Sequence, residues 1–140
     1  MDLSVRSYGP WSPENFSWLG SAHGTDSTQT ITLVKSLFAA KSYYVNNQLI
    51  PGGVALGKVT AAGATQDMYG PYDAAATDGR ETMVGHLFGT KSVTGGGLYI
   101  GAALVVHGTV RLSKLAAITA DHGVDAAGQA DVAGRLIYIA

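Results

Sequence analysis

Apolar residues in this chain fall in short runs, several with a two-residue period, and glycine-rich breaks separate them. That is the pattern of a β domain. Residues 52–87 organise the rest. Val54, Leu56 and Val59 supply an extended apolar run, 63–67 (GATQD) is turn-forming, and Gly70-Pro71 adds a second breaker. Asp78-Gly79 reads as a tight turn, since glycine tolerates positive φ, and Met83, Val84, Leu87 and Phe88 return the chain to apolar surroundings.

Upstream, 30–38 (TITLVKSLF) is a strand candidate, with Ile31, Leu33 and Lys35 alternating against Thr32 and Val34. Residues 42–50 carry Tyr43, Tyr44 and Val45, then Asn46-Asn47, and read as strand into turn before Pro51-Gly52-Gly53 resets the direction. Downstream, 95–97 (GGG) is a hinge or hairpin tip. Residues 98–106 and 109–112 then form two strands, or one long strand bent at His107-Gly108. Asp125 caps a short helix through Val132, with Ala126, Ala130 and Ala133 on its apolar side. Gly134 fits the left-handed position past its end, and 135–139 (RLIYI) is a final strand. The expectation is a mainly β domain with one short C-terminal helix.

Residues 1–30 differ. Pro10, Pro13, Gly9, Gly20 and Gly24 leave little room for regular structure, yet the segment holds Trp11, Trp18, Tyr8, Phe16 and Leu19. Disordered tails are aromatic-poor, so these rings need a destination. Two readings stand side by side. Either the arm folds back and Trp18-Leu19 caps the domain's own core, or the rings anchor on a partner, as Trp and Tyr commonly do.

Composition narrows the function classes. With 140 residues the chain fits one domain with a real core. Charged residues are 14% and net charge is −1, so nothing draws it in bulk to nucleic acid or anionic membrane. The absence of cysteine removes disulfides, thiol nucleophiles and thiolate metal sites together. The N-terminus lacks the apolar core of a signal peptide, and the apolar run 98–106 is about half a bilayer span. The expectation is a soluble, low-charge domain suited to lie against another protein.

Candidate chemistry is sparse. Gly52, Gly57 and Lys58 stand at the GxxxxGK spacing of a phosphate loop, but Val59 replaces the required Ser or Thr, and the run favours strand over helix. His23, His86, His107 and His122 lie far apart without paired metal spacing, and three of them precede glycine. Asp78 is explained by its turn, Asp73 by loop hydrogen bonding, and Glu81 beside Arg80 by an exposed pair. No GxSxG elbow is present. Asn15-Phe16-Ser17 matches a glycosylation acceptor but lacks a secretion signal. Nothing here predicts an enzyme, a metal or a cofactor.

The runs LIPGGVALGKVTA, GPYDAAATDGRETMVGHLF and ALVVHGTVRLSKL resemble the head decoration proteins of tailed bacteriophages, the family typified by lambda head protein D. Leu56-Gly57, the Thr77-Asp78-Gly79 turn followed by Val84-Gly85-His86-Leu87, and His107-Gly108-Thr109-Val110 carry the resemblance. The opening SWLGSAHGTDSTQTITL is similar to that of decoration proteins from actinobacterial phages. The resemblance implies a small β-clip or incomplete-barrel domain with an extended N-terminal arm. It further implies a homotrimer on the outer surface of the expanded capsid, cementing the major capsid protein without binding DNA or membrane. In that reading Trp11, Phe16, Trp18, Leu19 and Ile31 are the capsid-binding arm, and Gly57, Asp78, Gly79, Gly85 and Gly108 hold turns of the scaffold. A β-rich carbohydrate-binding module with Tyr and Trp stacking platforms is the alternative.

Overall fold

The computed structural model describes residues 16–39, 49–93, 95, 97–118 and 124–139. Strands β1 (Gln29–Val34), β3 (Ala55–Lys58), β4 (Tyr69–Pro71), β5 (Met83–Leu87) and β7 (Tyr99–Val105) close into a barrel in the order β1-β4-β3-β5-β7. All neighbours are antiparallel except β1 and β4, which meet in parallel at Leu33 and Tyr69. Two short strands, β2 (Leu49–Ile50) and β6 (Lys91–Ser92), pair with each other. Strands β8 (Gly108–Arg111) and β9 (Leu136–Ile139) form a parallel pair, and an antiparallel bridge from Leu19 to Val110 adds the N-terminal segment to the free side of β8. The domain is mainly β, as the periodicity predicts.

Two apolar cores explain which residues face where. Ile31, Leu33, Ile50, Leu56, Leu87 and Leu104 fill one, and Trp18, Ala55, Met83, Val105, Val110, Leu115, Val132 and Leu136 fill the other. Successive strand residues alternate between them: Ala55 and Leu56 on β3, Leu104 and Val105 on β7. A strand clad on both faces reads as an unbroken apolar run, which is why VALG shows no polar alternation.

Close approach sets the glycines of the central strands. A methyl on Gly85 would stand 2.2 Å from the Val105 carbonyl oxygen, and one on Gly57 would stand 2.7 Å from the Arg80 Cα. The β3–β5 register slips at Leu56/Gly57, where a bulge bends the strand towards closure. Asp78-Gly79 does turn, with Gly79 at φ +110° and the Asp78 carbonyl accepting from Thr60 N–H at 2.8 Å.

Several expectations need correction. The strand at 30–38 ends at Val34, and α1 (Lys35–Ala39) follows after one last rung to β7, from the Lys35 N–H to the Leu98 carbonyl at 3.1 Å. Val34 and Phe38, four apart, are both buried, so the period had already changed from 2 to 3.6. Gly70-Pro71 does not break the chain but pairs inside β4 with Gly57 and Leu56. A further helix, α2 (Leu112–Ile118), follows β8. The C-terminal helix α3 (Ala126–Asp131) has Asp125 as its N-cap, accepting from Gly128 N–H at 2.7 Å, but Ala126, Ala130 and Ala133 are exposed. Gly128 is buried instead, where a methyl would meet Tyr72 and Met83 at 3.1–3.2 Å. Gly134 takes φ +84°. Residues 42–48, with Tyr43 and Tyr44, lie outside the described residues.

Trp18 settles where its ring goes: it is fully buried. A turn closed by Leu19 N–H on the Phe16 carbonyl (2.9 Å) aims it inward, and the Trp18 carbonyl accepts from Arg111 N–H at 2.7 Å. Burying an indole removes about 150–250 Å² from water, roughly 4–6 kcal/mol at 25 cal/mol per Å². Its Nε1 has no hydrogen-bond partner, a cost of about 1–3 kcal/mol. Burial wins. Trp18→Ala should therefore lower stability by about 3–5 kcal/mol in urea unfolding; a loss below about 1 kcal/mol would show that the indole does not hold the core.

Candidate functional site

Among the described residues, the titratable side chain most enclosed by the fold is His86 on β5, fully buried against the Trp18 core. Its Nδ1 lies 2.8 Å from the Gly53 carbonyl oxygen and its Nε2 lies 2.6 Å from the Tyr138 hydroxyl. A carbonyl only accepts, so Nδ1 carries the proton and Nε2 accepts from Tyr138. The Met83 sulfur, 4.0 Å from the same hydroxyl, is left with a packing contact. Trp18 and Tyr138 flank the imidazole with ring centroids at 5.6 and 5.7 Å. Both nitrogens are committed and neither reaches solvent, so His86 ties β9 to the barrel and has no access to a substrate.

The remaining polar clusters are equally occupied. Asp78 takes the Arg80 Nε at 3.0 Å, and Arg80 also donates to the Pro71 carbonyl at 3.2 Å. Burial works against the Asp78 anion, yet its hydrogen bonds from Arg80 and the guanidinium charge hold its carboxyl below the usual range. Glu81 accepts from Gly79 N–H at 2.8 Å, so the exposed Arg80–Glu81 pair expected from the sequence is replaced by Asp78–Arg80. Asp73 bonds Ala75 N–H at 3.0 Å, as loop chemistry predicts. Tyr72, pushed up to about 12 by burial and then by its bond to Asp125, donates to that carboxylate at 2.8 Å. Among the described residues, no three His, Cys, Asp or Glu side chains converge as a metal cluster. No described helix is long and apolar enough to cross a membrane. The Gly52–Gly57–Lys58 spacing runs into strand β3 instead of opening a helix.

The residues assigned to a capsid-binding arm divide. Trp11 lies outside the described residues. Trp18 and Ile31 belong to the core instead of an arm surface: the first is fully buried, the second sits on β1 at 6% exposure. Leu19 is half-buried at the bridge to β8. Phe16, 41% exposed and stacked on Phe88 at 5.3 Å, is the arm ring that faces outward. The described part of the arm therefore packs on the domain, since pairing to β8 satisfies its backbone and Trp18 gains a core.

What the surface offers is apolar exposure. Leu98 (72%) and Tyr99 (44%) border a groove of about 360 Å³ beside Val34 and Lys35, whose ammonium donates to the Gly95 carbonyl. A second groove, about 320 Å³, is lined by Phe16, Leu19, Ala22, Thr25 and Phe88. On β9, Ile137 (63%) and Ile139 (41%) face outward while Leu136 and Tyr138 face the core. The Gly108 N–H donates to the Arg135 carbonyl at 3.0 Å. Alternation in a parallel ladder then turns the Tyr138 backbone groups to the other edge of β9. The exposed isoleucines were legible as the odd positions of RLIYI; Leu98 was hidden among the buried members of its run.

Compared with protein-family models, with curated proteins and with solved structures, the chain matches none.

Burial lowers the His86 pKa to about 4, against 6.5 for an exposed imidazole. The folded value lies below the unfolded one, so the stabilisation is complete above about pH 6.5 and is lost as pH falls from there towards 4, by roughly 3 kcal/mol in all. The His86 ring should stay neutral in the folded protein at pH 5.5 by NMR, and titration near 6.5 would contradict its enclosure. Tyr138→Phe leaves Nε2 without a donor and should cost about 1–3 kcal/mol.

Proposed function

We propose that this protein is a non-enzymatic capsid decoration protein. It binds as a homotrimer to the outer surface of an expanded phage head and cements the major capsid protein, with no direct role for nucleic acid or membrane. The observation that carries the reading is the distribution of apolar surface. Leu98, Tyr99, Ile137, Ile139 and Phe16 are exposed on a body whose ionisable clusters are already engaged in holding turns, caps and strands. Such a surface fits docking over broad, shape-matched contacts, and a low-charge face packs against a partner without desolvating ions. Trimerisation multiplies a modest contact per subunit through effective concentration. The sequence resemblance supplies the identity of the partner.

A carbohydrate-binding module remains the rival. With Trp18 buried, its stacking platform among the described residues would be Tyr99 in the larger groove. Saturable binding of a small glycan by the isolated chain, lost in Tyr99→Ala, would favour it over decoration.

Co-sedimentation with undecorated expanded capsids tests the proposal, with bound copies counted at saturation. Three copies per local three-fold site are expected, and a free species of three times the 14.4 kDa chain mass in solution. Leu98→Lys and Ile137→Lys, both at exposed positions, should each reduce bound copies without moving the melting temperature. Full occupancy by both variants would remove the apolar surface from the account, and no binding by the parent protein would end the decoration reading.

A further inference from the structure

Two His-Gly dipeptides, far apart in sequence, cross each other on the surface. Gly24 lies at φ +82°, and a methyl there would stand 2.0 Å from the His107 carbonyl oxygen. Gly108 lies at φ +141°, and a methyl there would stand 2.6 Å from the His23 carbonyl oxygen. Each glycine thus admits the backbone of the other dipeptide's histidine, and both require the conformational freedom that only glycine has. Local bonds hold the crossing on both sides. The Ala22 carbonyl accepts from Thr25 N–H at 3.2 Å and from Thr25 Oγ1 at 2.7 Å, while Gly108 N–H donates to the Arg135 carbonyl at 3.0 Å.

The consequence is a pair of exposed imidazoles held side by side, with ring centroids 4.5 Å apart and planes inclined at 59°. Among the described residues, neither ring is hydrogen-bonded to the protein. That separation suits a shared ion. With metal–nitrogen bonds of about 2.0–2.1 Å, and ring centroids on the order of 1.1 Å behind the nitrogens, two imidazoles at about 90–110° around one ion have centroids roughly 4.5–5.2 Å apart. Imidazole nitrogen prefers borderline divalent transition ions over Mg²⁺ or Ca²⁺.

We propose that His23 and His107 form a two-imidazole site for one borderline divalent transition ion such as Ni²⁺ or Zn²⁺. Its remaining coordination positions face solvent. The crossing of the glycines positions the ligands in advance, so the ion need not order two separate loops.

Isothermal titration of the full-length protein with NiCl₂ tests this, with circular dichroism to check the fold of each variant. One ion per chain is expected. His23→Ala and His107→Ala should each weaken binding by about tenfold or more, since the loss of even a supporting group costs about 10–100-fold in metal affinity. MgCl₂ should give no binding at the same concentrations. Unaltered affinity in both single variants, dependence on only one of the two histidines, or equal binding of Mg²⁺ would each overturn the site.

Discussion

Burial on both faces of the central strands is the constraint from which the rest of the domain follows. Ala55 and Leu56 on β3, and Leu104 and Val105 on β7, turn to different cores, so neither face of these strands can be given to water. One core lies with the barrel residues Leu33, Leu56 and Leu104, and the other needs a cover. Trp18, Val110, Leu115, Val132 and Leu136 provide it, which brings both ends of the described chain onto the same layer. Only hydrogen fits between strands at Gly57 and Gly85, because backbone from Arg80 and Val105 occupies the space of a methyl group.

The same constraint decides how polarity is handled. A buried polar group without a partner is costly, and His86 meets this by filling both nitrogens, one with the Gly53 carbonyl and one with Tyr138. Tyr72 and Asp125 do likewise at the helix cap. His86, Asp73, Asp78 and Glu81, which look in the sequence like possible chemistry, are thereby used in architecture. Beside the His23–His107 pair, what is left for recognition is apolar: Leu98 and Tyr99 at the head of β7, Ile137 and Ile139 along β9, and Phe16 on Phe88.

Local signals were legible where the cause is local. The Asp78-Gly79 turn, the Asp125 cap, the φ of Gly134 and the two strands around His107-Gly108 all follow from a residue's own backbone preferences. The end of β1 was less plain, because the shift from alternation to the Val34–Phe38 spacing spans one helical turn. The buried side of α3 was misassigned because alanines look apolar, while a glycine facing Tyr72 and Met83 carries no hydrophobic signal. Trp18 could be placed only with knowledge of Gly53 and Leu115, whose vacant space no local pattern reveals. The motifs that carry the family resemblance sit largely at positions such as Gly57, Gly79, Gly85 and Gly108, where backbone geometry leaves little choice. They therefore speak to the scaffold more directly than to what it binds.

The parallel pairing of β8 and β9 also sets a timetable. Trp18 precedes Val132 and Leu136 of its own core by most of the described sequence. The outer layer can form only when these distant segments meet, and such long sequence separations make closure slow. Until then the nascent chain carries an indole and an apolar β8 face with nothing to cover them.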